Sequence, residues 1–153
     1  MASLTVNLAQ EPLLVDDPAL EWQELSVTAL GLAVDRYEST EAYLALHPGT
    51  VVGTVASPGA EAVASGSATT PDASAEFSAR VLEAEYRTST LTGQRFIHVS
   101  VDAAFPFDVC LPDGELPARD SVIAGTAVMA GSIPTPSGSG CGGCGGSCGC
   151  GGH

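Results

Sequence analysis

The last thirteen residues read Cys141-Gly-Gly-Cys144-Gly-Gly-Ser-Cys148-Gly-Cys150-Gly-Gly-His153, a spacing of C-x2-C-x3-C-x-C-x2-H. Four of the chain's five cysteines stand here. Exposed thiols oxidise readily, so such a concentration is hard to attribute to chance. Thiolates favour Zn(II), Cu(I) and iron–sulfur centres. Zinc would take four ligands in a tetrahedron. Cys141, Cys144, Cys148 and Cys150 supply four, and His153 is an optional fifth. The intervening glycines remove side-chain obstruction and permit left-handed turns, so the chain can wrap its sulfurs round one ion. Zinc ribbons and fingers instead hold two ligand pairs apart with a folded segment. Nothing between these cysteines can fold, which also disfavours a compact iron–sulfur cluster. Zn or Cu(I) is the expected cargo.

This tail resembles the Cys/His/Gly-rich C-terminal tails of some bacterial metallochaperones, and its single histidine leans the reading toward thiophilic ions. The Gly-Cys-Gly units and Gly146-Ser147-Cys148-Gly149 also resemble the core regions of thiazole/oxazole-modified microcin precursors. In that family a cyclodehydratase closes Ser and Cys side chains onto the preceding carbonyl, and glycine there offers the least crowded carbonyl. That resemblance implies that Cys141, Cys144, Ser147, Cys148 and Cys150 are modification sites and that the preceding chain is a leader. Both resemblances cover only the last residues.

Elsewhere the candidates are sparse. His98 alternates with Ile97 and Val99, and Cys110 with Val109 and Leu111, so each lies on the strand face opposite its apolar neighbours. Both are candidates for a site, a rim or surface position is the plainer expectation for each, and Cys110 also suits a small buried hydrophobe. His47 reads as a helix-end residue. Asp16, Asp17, Glu21 and Glu24 lack the ligand alternation of a calcium loop and read as a solvated helix start. Gly138 to Gly143 matches G-x-G-x-x-G in form, but no strand precedes it and no helix follows, as a dinucleotide site requires. No H-E-x-x-H, G-x-S-x-G or paired-carboxylate constellation occurs.

The bulk numbers narrow the classes further. The chain has 153 residues, 18 acidic and 5 basic, for a net charge of −13. All the basic residues are arginine, at 36, 80, 87, 95 and 119. Without lysine there is neither a P-loop nor a Schiff-base nucleophile. Without clustered positive charge, nucleic acid and anionic membranes are unexpected partners. No run approaches the ~18 apolar residues of a membrane helix, and the N-terminus lacks a secretory signal. A cytoplasmic setting with reduced thiols is expected. The bias to Ala and Arg, with no Lys, suggests a high-GC bacterial genome.

Composition divides the chain into a body, residues 1–133, and a tail, 134–153, which begins with a Pro/Ser linker. Nine of the 18 glycines lie between Gly138 and Gly152. In the body, alternation predicts strands at 4–8, 26–34, 50–56, 76–87, 94–101, 107–111 and 121–133. Within 26–34 the apolar phase slips by one residue between Ala29 and Leu30, the mark of a β-bulge. Residues 88–93 read as a hairpin loop. Asp17-Pro18 predicts a helix over 18–25, and Ser39 or Thr40 caps another over 41–46, ended by His47-Pro48-Gly49. Residues 57–75, rich in Ser, Ala, Thr, Gly and Pro, read as a flexible segment. The expected fold is mainly β, a small barrel or sandwich with an OB-like barrel compatible, one or two short helices and a disordered tail.

The leading expectation is a non-enzymatic metal-binding or metal-delivery protein whose body meets a protein partner. The alternatives are a ribosomally made precursor whose tail becomes azoles, and a structural or assembly protein with an incidental low-complexity tail.

Overall fold

The computed structural model describes residues 2–9, 23–67 and 71–134. The sequence-predicted helix over 18–25 falls largely outside these residues, and its described end, Gln23 to Leu25, is not helical. The tail residues beyond 134 also lie outside them.

The elements run in chain order as β1 (Asn7–Leu8), β2 (Ser26–Tyr37), α1 (Thr40–Leu46), β3 (Thr54–Ala56), α2 (Pro58–Ala64), β4 (Ser74–Thr88), β5 (Arg95–Asp102), β6 (Pro106–Pro112) and β7 (Val122–Ser132). The fold is mainly β, as the alternation implies. Sheet order is β1-β7-β2-β6-β5-β4-β3, and β7 pairs with β4 as well. That extra pairing joins β7, β2, β6, β5 and β4 into a closed ring of five strands, with β1 and β3 added at its margins. Ring closure satisfies the backbone groups that an open sheet would leave at its edges. All ring pairings are antiparallel except β2 with β6, which run parallel.

The interior is filled by the inward half of each alternating strand. Ile97, Val99 and Val101 of β5 meet Phe107, Val109 and Leu111 of β6. The other wall mixes small residues, Ala29, Ala75, Ala79 and Ala127, with large ones, Phe77, Ile123 and Met129. Mixing large with small side chains is how a narrow barrel is filled without voids. Phe77 and Phe107 cross edge to face at 5.8 Å.

Strand β2 carries a register shift, but between Gly31 and Ala33, and Leu30 and Leu32, which begin the expected new apolar phase, are exposed; only Val34 beyond the shift packs against the core. Facing it, Gly125 of β7 has φ +155, and a Cβ there would stand 1.9 Å from the Ala33 carbonyl oxygen. No side chain fits at this contact, so glycine is what lets β7 lie against the bulged strand.

Two expectations are corrected. Residues 57–75 contain α2: Ser57 caps it by accepting from the Ala60 amide at 3.3 Å, and Pro58 occupies the first turn. Ser57 Oγ also accepts from the Thr5 amide at 3.2 Å, so this helix start ties down the N-terminal segment. The strand expected over 50–56 shrinks to Thr54–Ala56, because Gly49 and Gly53 adopt φ +83 and +93 and turn the chain before it can pair. The helix expected over 41–46 forms, as Thr40–Leu46, with Ser39 as its cap. The Ser39 hydroxyl accepts from the Ala42 amide at 3.1 Å, and His47 closes the other end.

Replacing Gly125 with alanine is expected to destabilise the fold by about 3 kcal/mol or more, through backbone overpacking. Replacing Gly49, where an added Cβ meets nothing within 4 Å, is expected to cost only about 1–2 kcal/mol for its left-handed backbone. Urea unfolding of the two variants checks the ranking.

Candidate functional site

Strands β4, β5 and β6 present a polar outer face because their apolar alternates are committed to the interior. Ile97 and Val99 are fully buried, so His98 between them must point outward, and Cys110 does so between Val109 and Leu111. The register then decides who meets whom. His98 stands opposite Cys110 on one side and opposite Glu85 on the other. Cys110 in turn stands opposite Leu30 of β2. The resulting row, Leu30–Cys110–His98–Glu85, crosses four strands. A second row, Thr28–Asp108–Ser100–Glu83, runs beside it.

His98 is enclosed for a surface residue, with its side chain only 14% exposed. Its Nδ1 lies 3.8 Å from Glu85 Oε1, and its Nε2 lies 3.5 Å from Asp108 Oδ2. Both carboxylates are held by other groups. Arg87 Nε donates to Glu85 Oε1 at 2.7 Å, and the Ser100 hydroxyl donates to Asp108 Oδ1 at 3.1 Å. The imidazole therefore sits between two anchored carboxylates.

Cys110 is half-buried. Burial pushes its thiol above the ordinary value of 9.0 and the nearby Asp108 charge pushes the same way, while Arg87 opposes them. A thiol so placed stays protonated near neutral pH, which is the opposite of what a nucleophilic cysteine needs.

The other histidine of the body is structural. His47 Nδ1 lies 3.2 Å from the Tyr43 carbonyl oxygen, and its ring stacks on Tyr43 at 4.6 Å. Tyr37 meets both rings edge-on. A hollow of about 490 Å³ beside α2 is lined by Ala2, Ala56, Ala60 and Ala104, with Glu61 its one titratable lining residue.

The expected ligands Cys141, Cys144, Cys148, Cys150 and His153, and the alternative modification site Ser147, lie outside the described residues. Among the described residues no three His, Cys, Asp or Glu side chains are gathered so as to hold a metal ion. None of the described helices is long and apolar enough to cross a membrane. Glu85 and Asp108 were not apparent as site residues in the sequence. The available signal was their phase: Asp108 shares a face with Cys110, and Glu85 lies on the partner strand of the same hairpin as His98.

No family model matches this chain, nor does any curated protein or solved structure.

The raised Cys110 value carries a sign. Between the unfolded thiol's value and the higher folded one, the unfolded state gives up its proton first. The thiol's contribution to stability is therefore whole below the unfolded value and is lost as pH rises through the folded one. Wild-type protein is expected to lose stability above about pH 9 more steeply than Cys110→Ala. Urea midpoints measured from pH 7 to 10 on both chains check this.

Proposed function

We propose that this is a non-enzymatic metal-binding or metal-delivery protein that takes Zn(II) or Cu(I) on its C-terminal tail. The observation that carries the reading is the tail's ligand spacing. Five soft ligands fall within thirteen residues and are separated almost wholly by glycine. Deprotonated Cys141, Cys144, Cys148 and Cys150 bind the ion, and His153 is available as a fifth ligand. Glycine leaves the ligand loop free to rearrange, which suits exchange of the ion with a partner. The cytoplasm, where thiols stay reduced, is the fitting compartment.

Two features of the body are consistent with a carrier. Its interior is filled with apolar side chains, and its outward cysteine is held as a thiol rather than activated. In this reading the body meets a protein partner, for which it has exposed apolar side chains such as Leu32 and, at the β4–β5 hairpin tip, Leu91. Nucleic acid and anionic membranes remain poor partners for a chain of charge −13.

Purified chain is expected to bind about one Zn(II), and conversion of all four tail cysteines to serine to weaken that binding at least a hundredfold. Isothermal titration and native mass spectrometry check both. Undiminished zinc binding by the four-serine chain would overturn the reading. A native mass lowered by about 20 Da per site, from loss of water and two hydrogens, would favour the azole precursor instead.

A further inference from the structure

We propose that Cys110 and His98 form a second, two-coordinate site for a soft monovalent cation, Cu(I) or Ag(I), on the outer face of the barrel.

Four observations converge on the pair. The first is register: the two residues stand directly opposite each other on neighbouring antiparallel strands, with both side chains outward. Opposed residues of this kind have Cβ atoms about 4.5–5.5 Å apart. A cation bonded to one sulfur and one imidazole nitrogen in line spans about 4.3 Å between them, taking bond lengths of the order found for zinc. The pair can bridge one ion through side-chain rotation alone, with no backbone movement.

The second observation is the orientation of the ring. Glu85 faces Nδ1 at 3.8 Å and is itself held by Arg87. Asp108 faces Nε2 in the same way at 3.5 Å, so a carboxylate flanks each ring nitrogen: whichever nitrogen takes the ion, the other keeps a carboxylate beside its proton, as in carboxylate–histidine–metal arrangements. The third is charge. Binding replaces the thiol proton with a monovalent cation, forming the sulfur–metal and nitrogen–metal bonds and releasing one proton to solvent. The charge of this half-buried place is then unchanged, whereas a divalent ion would leave an added positive charge there. Asp108, 3.5 Å from Nε2, and the overall −13 attract the cation to this face.

The fourth observation selects the ion. No three ligating side chains are gathered here, so zinc's preference for four is not met. Thiolate ligands select Cu(I), imidazole also suits copper, and a d10 monovalent ion is satisfied by two donors.

The test uses the full-length chain with Cys141, Cys144, Cys148 and Cys150 all changed to serine. Under anaerobic conditions it is titrated with Ag(I), and with Cu(I) against a chromophoric chelator. The expected result is one ion per chain, with a thiolate-to-metal absorption band in the near ultraviolet for Cu(I). Adding Cys110→Ala or His98→Asn is expected to weaken binding at least a hundredfold. In case a substitution unfolds the chain, nitrogen NMR of the His98 ring in the four-serine chain gives a second readout, and one ring nitrogen should shift on adding Ag(I). No bound ion, an unmoved His98 resonance, or equal binding after His98→Asn would overturn the proposal. Zinc binding by a Cys110→Ala chain with its tail intact reports on the tail alone, so failure of either site is distinguishable from failure of the other.

Discussion

At Arg80, β4 leaves one partner for another: the residue stands opposite Val122 of β7 on one side and Asp102 of β5 on the other. Before it, β4 is zipped to β7; after it, to β5. Without this handover β4 would join only one of them and the ring would stay open. The change is supported mainly by backbone. The Val81 amide donates to the Ser121 carbonyl at 2.8 Å, and the Asp120 amide donates to Val81 at 2.9 Å. Asp120 itself has φ 64, the left-handed geometry that turns the chain into β7. The nearby Arg80–Asp102 ion pair, at 3.7 Å and half exposed, adds little by comparison. A bulge between Val81 and Glu83 follows at once, and bulges bend and twist the strand that carries them.

The outer face follows from that closure. Once the interior is fixed by Val81, Val99 and Val109, the phase of every outward residue on β4, β5 and β6 is fixed with it. A slip of one residue would bury Glu85, His98 and Cys110 and expose the core. The polar row is therefore as firmly placed as the core beneath it, although its members touch one another only through side chains. Rigid strands carrying outward donors differ in kind from a glycine-rich ligand segment. The one presents donors at a fixed spacing, and the other adapts its spacing to the ion.

The strands were readable wherever one face is buried and the other wet. Ile97-His98-Val99-Ser100-Val101 and Phe107-Asp108-Val109-Cys110-Leu111 show their phase plainly, because core and solvent impose opposite chemistry on neighbours. Helix α1 was readable from Ser39, since a cap is a local event. Helix α2 was hidden by composition. Its Ala and Gly residues give no apolar stripe, and only Ser57-Pro58, a cap followed by proline, marked its start. The 50–56 stretch misled because β-branched residues suggest a strand, while Gly49 and Gly53 bend the backbone. The neighbourhood of His98 and Cys110 was hidden for a different reason. Facing is a property of pairing, and pairing depends on the short Ala103–Phe105 connection that sets the register of β5 on β6. Each residue's face could be read from the sequence, but its partner could not.

Strand β7, which runs directly into the tail, is flanked by β2 along its length, by β4 over Val122 to Val128, and by β1 at Ala130 and Gly131. A pull on the tail, such as a partner gripping it would exert, is thus applied along the axis of this strand. Its rungs to β2 and β4 are loaded together in shear instead of being peeled apart one at a time. The C-terminal segment thus follows a strand paired on both sides, and traction on it would be shared between two neighbouring strands.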